Sequence, residues 1–448
     1  MSYVGERLSF TVFLNQNQDP SDCAALLERV SAAEAPLEII GLAGSERAYT
    51  LARLAARLEG PTLVVVPSAA EAGQLAEDVS FFCRTDRAAG VFPAYHLLPF
   101  KFLSYHNQTA SERIRVLYQL LTGEAPPLLI VPLAALLQQL IPRVELSRYA
   151  ELILEGEELD RDRLASKLVA GGYLRAAIVE EPGDFSVRGG IVDIFSPLYV
   201  EPLRIEFFGF RVESLRFFSA ADQRRLKPVT EAVLLPAREA VLDPPQLTEI
   251  THRVRLRAAE ISLPAAMLRR TVTQLANQEG FPGIESLLPL IYPRLDFFGD
   301  YLPSSARVVI IDPDRVLQAA REFEEQAAAN SEACLAGGRL CAPPESLYLS
   351  WDKVRGLFSA RRPVSFRLLE VLSAEAEHGT PRASVARVAV QSNQELTAAL
   401  RRPRGQEELL EPLAEWVRHQ RAEGHVVLIT CQAKTQAQRL AALLAPYG

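Results

Sequence analysis

Residues 37–48 read Leu-Glu-Ile-Ile-Gly-Leu-Ala-Gly-Ser-Glu-Arg-Ala. An apolar run breaks at Gly41, passes Gly44 and enters a stretch with Leu51, Leu54, Ala55 and Leu58 at helical spacing. That is a buried strand, a glycine-bearing loop and a helix folded back on the strand. The unit recurs: 62–67, 90–93 and 128–132 are short, near-continuous apolar runs bounded by Gly and Pro. Strands of a parallel sheet covered on both faces have this pattern. Helices are expected at 46–58, 69–82 and 111–121 between them. Strand-then-helix repetition predicts a doubly wound α/β domain whose first part spans residues 1–149.

The rhythm changes near residue 150. A helix at 161–170 is stopped by Gly171-Gly172, and strands follow at 176–181, 185–195, 202–208 and 212–218. Pro182-Gly183-Asp184, Pro197 and Gly209 mark close turns, which favour antiparallel pairing. Residues 150–236 are therefore expected to form an inserted β-rich unit. After it the chain is helical and basic (His252, Arg253, Arg255, Arg257). It then returns to a buried-strand pattern at 308–312 (Val-Val-Ile-Ile-Asp), which rejoins the first sheet. Residues 237–349 are read as the second part of the α/β domain. Pro343-Pro344 and Arg361-Arg362-Pro363 suggest a boundary, and 350–448 a further small α/β domain with helices at 406–423 and 435–444 and a strand at 426–430.

Composition bounds the function. The 448 residues are 48% hydrophobic and 23% charged, ordinary globular usage, and 48 Lys plus Arg against 55 Asp plus Glu leave a net charge of −7. This argues against an overall polycationic nucleic-acid binder. Five cysteines (23, 83, 334, 341, 431) with no CxxC spacing point to reduced thiols and a cytoplasmic location. The longest apolar run, 125–137, contains Pro126, Pro127 and Pro132 and falls short of the ~20 residues that span a bilayer. The first twenty residues make a poor signal peptide. His96, His106, His252, His378, His419 and His425 show no metal-ligand spacing, and no GxSxG or Cys–His signal suggests a nucleophile. No metal is expected.

The loop at 41–48 has the place and shape of a phosphate loop but not its chemistry. Such a loop needs glycines that turn backbone N–H groups to the phosphates, a lysine for the β/γ-phosphates and a hydroxyl for Mg²⁺. Gly41, Gly44 and Ser45 remain; the next glycine is Glu46, the lysine is Arg47 and the hydroxyl position is Ala48. The partner motif, a strand ending in Asp then Glu, is reduced to Asp312 followed by Pro313, with Asp314 displaced. The residues alone allow either a degraded nucleotide pocket or a plain strand-to-helix turn. Asp312 and Asp314 allow a metal or a strand-end turn. No catalytic residue and no resident cofactor are expected.

In 203–208, alternation puts Leu203, Ile205 and Phe207 on one face and Arg204, Glu206 and Phe208 on the other. An outward aromatic beside an arginine has the composition of a protein-binding hot spot. Arg188, in Ser186-Val187-Arg188-Gly189-Gly190, lies on a neighbouring strand, but the glycine pair leaves its face open. Pattern alone also allows Phe208 to cover a loop and both arginines to be solvated. The arginines at 253–257 are compatible with nucleic acid or with a solvated helix face.

Residues 181–195 (Glu-Pro-Gly-Asp-Phe-Ser-Val-Arg-Gly-Gly-Ile-Val-Asp-Ile-Phe), 202–209 (Pro-Leu-Arg-Ile-Glu-Phe-Phe-Gly) and 212–215 resemble the inserted domain shared by UvrB and the bacterial transcription-repair coupling factors, the Mfd family. Phe92-Pro93, Leu98-Pro99, Ser111-Glu112-Arg113, Leu129-Ile-Val-Pro132, Leu234-Leu-Pro-Ala237 and Gly283-Ile-Glu285 resemble the coupling factors specifically. UvrB keeps an intact loop with Lys and Thr where the coupling factors have lost it, and 92–111 is too short for UvrB's DNA-clamping hairpin. The resemblance implies a degenerate helicase-type (RecA-like) domain interrupted by a UvrA-binding domain. It implies partner-binding roles for Arg188, Arg204 and Phe208, and recruitment of UvrA to RNA polymerase stalled on double-stranded DNA. It also implies a C-terminal regulatory domain that covers this surface, and an ATP- and Mg-dependent motor beyond Gly448, so that this segment is not itself an enzyme. The alternatives are an ATP-dependent UvrB-like damage-processing protein and a DNA-binding accessory module.

Overall fold

The structure is a computed structural model that describes residues 21–32, 36–42, 44–58, 60–83, 89–95, 100, 107–278, 280–367, 384–388, 394–401, 410–425, 427, 429, 431 and 433–447. The chain divides into two units, residues 19–388 and residues 1–18 with 389–448.

Among the described residues the larger unit holds fifteen strands: β1 Leu37–Ile40, β2 Thr62–Val66, β3 Ala89–Val91, β4 Leu128–Pro132, β5 Glu151–Leu154, β6 Leu174–Arg175, β7 Asp184–Arg188, β8 Ile191–Ile194, β9 Leu203–Phe208, β10 Arg211–Phe218, β11 Arg225–Val229, β12 Glu231–Leu234, β13 Arg307–Ile311, β14 Val364–Arg367 and β15 Ser384–Arg387. Seven of them form a parallel sheet in the order β15-β1-β14-β13-β2-β4-β3. Every residue of β2 and β4 is buried, which is why their sequences are apolar throughout rather than alternating. Apolar clusters cover both faces. One gathers Leu51, Leu54, Val64 and Ile130, and the other Leu63, Val65, Leu129 and Ile310. Helices Ser45–Ala55, Ala69–Phe82 and Asn107–Thr122 stand where helical spacing placed them. β13 pairs with β2, so the chain does return to its first sheet after the inserted block.

The insert is a six-stranded sheet in the order β11-β10-β9-β8-β7-β6, antiparallel except for the parallel β6–β7 pair, with β5 and β12 forming a separate ribbon. Its core is the inward alternation of Phe185, Val192, Ile194, Leu203, Ile205, Val212 and Leu215 against Leu164 and Leu168 of helix Arg161–Ala170. Asp160 caps that helix by accepting the N–H groups of Asp162 and Arg163 at 2.8 and 3.1 Å.

Two expectations are corrected. Residues 176–181 form no strand. The Asp184 carboxylate accepts the Glu180 and Glu181 N–H groups at 3.3 and 3.0 Å, which curls this stretch into a turn, and pairing is left to the two residues of β6. The boundary at residue 350 falls instead after Val388. Trp351, Val354 and Phe358 of helix Trp351–Ser359 are buried in the α/β core, and β14 and β15 flank β1. Arg361, read as part of a linker, donates to the carbonyls of Pro303, Ala306, Gly299 and Leu302 and so ties that segment down.

In the smaller unit, helices Gln394–Arg401, Glu411–Ala422 and Lys434–Leu444 are described. Residues 406–409 of the expected helix, and 426, 428 and 430 of the expected strand, lie outside the described residues. Among the described residues no helix is long and apolar enough to cross a membrane.

Candidate functional site

The outward face of the insert carries the predicted docking residues. Along β9 burial alternates strictly, Leu203, Ile205 and Phe207 inward and Arg204, Glu206 and Phe208 outward, and Phe208 is 78% exposed. Gly189 and Gly190 make the β7–β8 turn. Gly189 has φ +59°, and a Cβ on Gly190 would lie 2.8 Å from the Phe207 carbonyl oxygen. This turn puts Arg188 on the same face as Arg204, which pattern had left open. The two meet at Asp193, which lies opposite Arg204 in the β8–β9 register. Arg188 Nη2 is 2.6 Å from Asp193 Oδ2, and Arg204 donates Nε and Nη2 to its two oxygens at 2.7 and 2.9 Å.

The side chain of Asp193 is 1% exposed, that of Arg204 15% and that of Arg188 51%. Arg204 is thus a clamped, half-buried group rather than a solvated one. Its guanidinium lies 4.5 Å over the Phe218 ring, and the Asp193 hydrogen bonds hold its proton more tightly than usual. Glu206 pairs with Arg216 and accepts from the Ser214 hydroxyl. Phe210, 67% exposed, extends the apolar tip past Phe208. The surface is a rigid charged ribbon with an aromatic point. Asp193 was missed as a site residue, although a lone acid in the apolar Ile-Val-Asp-Ile run opposite an arginine was the available signal.

The loop at 41–48 and the end of β13 also converge. Gly41 has φ +105°, and a Cβ there would sit 2.4 Å from the Val388 carbonyl oxygen, so only glycine fits. The Glu46 carboxylate folds back to accept the Gly44 N–H at 2.7 Å, taking a donor that a phosphate loop would offer its ligand. Arg47 pairs with Asp312 at 3.2 Å, joining the loop after β1 to the end of β13. Asp312 adopts a left-handed φ of +48° ahead of Pro313. Asp314 pairs with Arg367, and Arg315 with Glu71 at 2.8 Å. Ala48 is buried, and Ser45 opens the helix. Among the described residues no three His, Cys, Asp or Glu side chains are grouped to hold a metal ion. His96, His106 and His378 lie outside the described residues.

In the basic helix, Leu247–Glu260, Arg255 is exposed, whereas Arg253 and Arg257 are turned to main-chain carbonyls. Arg253 donates to the carbonyls of Leu290 and Ile291, both at 2.7 Å, and its burial lowers its pKa; Arg257 donates to that of Cys341 at 3.1 Å. Sequence reading also missed a buried polar hub. Arg113, fully buried between the rings of Phe92 and Tyr95, donates to Glu239 at 2.6 Å and to the Pro93 carbonyl at 2.9 Å. Glu239 also accepts from the Tyr95 hydroxyl and the Ile141 N–H. Nearby Glu285 lies 4.0 Å from Arg238, and burial pushes its carboxyl up to about 7. The coupling-factor motifs at 92–93, 111–113 and 283–285 all supply residues to this hub, beside the point where the chain leaves the insert at 234–237.

Comparison with known proteins agrees with this layout. Residues 152–239 match the family model of the UvrB interaction domain. The transcription-repair-coupling factor of Myxococcus xanthus is 33% identical over 419 residues, 90% of this chain and 34% of the relative. That of Escherichia coli is 29% identical over 325 residues (70% and 27%), and that of Bacillus subtilis 26% over 299 residues (64% and 25%). The chain thus spans about a third or less of the length of these relatives. An inserted sheet matching the UvrB interaction domain, set in an α/β body and accompanied by likeness along nine-tenths of the chain, makes this chain similar to a part of the bacterial transcription-repair coupling factors.

Proposed function

We propose that this chain is a UvrB-like module that recruits UvrA in transcription-coupled nucleotide excision repair, and that its own nucleotide pocket no longer works. The observation that carries the reading is Phe208, exposed at the end of a strand whose neighbouring arginines are fixed by a buried aspartate. Pre-fixed arginines lose little freedom on docking, and a protruding aromatic supplies apolar area that water leaves on contact. Phe208→Ala removes no internal contact of the core, so it separates docking from folding. It should weaken UvrA binding by about 2 kcal/mol, roughly thirty-fold, in a calorimetric titration, with the melting temperature unchanged. Unaltered affinity would refute the site. Arg204→Ala is the less clean variant, because it also strips a partner from Asp193.

The segment is read as having no enzymatic activity and no resident cofactor. Glu46 would set a carboxylate against phosphate, Arg47 is engaged by Asp312, and Ala48 cannot ligate magnesium. Titration with Mg-ATP should give no binding heat. A saturable isotherm altered by Arg47→Ala would favour the rival, an ATP-dependent UvrB-like enzyme. Engagement of RNA polymerase and double-stranded DNA, ATP-driven movement and restraint by a C-terminal regulatory domain belong to the longer protein in this scheme, which acts in the cytoplasm.

A further inference from the structure

Helix Ala265–Ala276, the turn at Phe281 and Pro282, and the loop after helix Pro313–Ala336 enclose a groove of about 290 Å³. Its lining combines the apolar Met267, Phe281, Pro282, Leu287 and Leu340 with Thr271, Gln274, Arg270 and Arg339. No salt bridge joins Arg270 to an acid among the described residues. The stretch 252–274 holds five arginines and one glutamate in a chain of net charge −7, and of these Arg270 lines the groove.

The walls are fixed in advance. Arg257 donates to the Cys341 carbonyl at 3.1 Å, the Arg339 N–H donates to the Cys334 carbonyl at 3.1 Å, and the Ala342 N–H donates to that of Ser286 at 3.3 Å. Gly338, at φ +62°, lies against Pro264 at the start of the helix; a Cβ there would be 3.4 Å from the proline ring. A groove held this way does not have to order itself on binding.

We propose that this groove docks an acidic peptide segment of a partner protein, which seats one apolar side chain in the groove and directs a flanking carboxylate to Arg270. Charge complementarity and the apolar lining residues select this occupant over nucleic acid. A phosphate backbone needs a row of outward cations, and Arg253 and Arg257 spend their donors on main-chain carbonyls instead. The site is independent of the Phe208 face.

The test is selection of a random dodecamer phage library on the 448-residue chain, with Arg270→Glu as counter-selection. Arg270 is exposed, so the variant should keep the wild-type melting temperature, which is measured as a control. The expected result is enrichment of sequences with at least two Asp or Glu around a Leu, Met or aromatic residue. A synthetic peptide from that pool should bind the wild type at least ten-fold more tightly than Arg270→Glu by fluorescence anisotropy, and Arg270→Lys should be intermediate. Absence of Arg270-dependent enrichment, a neutral or basic consensus, or displacement of the peptide by a 20-nucleotide duplex at matched ionic strength would overturn the proposal.

Discussion

Arg113→Met should be the most damaging single change considered for this fold, lowering unfolding free energy by about 3–5 kcal/mol. Arg113 and Glu239 are both fully buried and 2.6 Å apart. Methionine fills much of the arginine's volume between Phe92 and Tyr95, so packing survives better than charge. What is lost is the cation that balances a carboxylate sealed from water. The Tyr95 hydroxyl and Ile141 N–H would still donate to Glu239 but carry no net charge. Glu239→Gln alone should also be costly, because it leaves the guanidinium buried without its counter-charge. The double variant Arg113→Met/Glu239→Gln should recover most of the loss, since removing both charges removes the desolvation penalty with them. Urea denaturation of the four proteins gives the coupling; losses that simply add would rule out the pair as a unit.

This hub also shows where sequence reading stops. Apolar runs at β2, β4 and β13 are legible because a strand buried on both faces tolerates little else, and the return of the chain to its first sheet follows from one such run. The alternation in β9 placed Arg204 and Phe208 on their face because the period of two is local. Arg113 was not legible. It sits in a helix that also carries Glu112 and Arg115, so it reads as one more surface charge, and its partner is 126 positions away. The same blindness made Arg361 look like linker. Nothing local records that its five donors would meet four carbonyls from 299–306. The loop at 41–48 falls between these cases. Glu46, Arg47 and Ala48 can be read locally as standing where a phosphate loop would have Gly, Lys and a hydroxyl, but only the fold brings Arg47 to Asp312.

Glu285→Gln should change how stability depends on pH. The carboxyl is 2% exposed, and desolvation holds its folded-state value at about 7 against an ordinary 4.5, although Arg238 and Arg113 pull it down. Below about pH 4.5 both folded and unfolded chains keep the proton and no penalty arises. Between 4.5 and 7 the unfolded chain releases it while the folded chain retains it, so stability falls as pH rises. Above 7 both are ionised and the loss is complete. A displacement of this size corresponds to about 3 kcal/mol at its limit. Glutamine has no such proton, and its constant costs, an amide with the same unmet hydrogen bonds and an Arg238 left without an acid, do not vary with pH. The stability of the variant relative to the wild type should therefore climb by about 2.5 kcal/mol from pH 5 to pH 8, whatever its offset at pH 5. Parallel stability profiles for the two proteins across that range would show that Glu285 does not titrate as its burial requires.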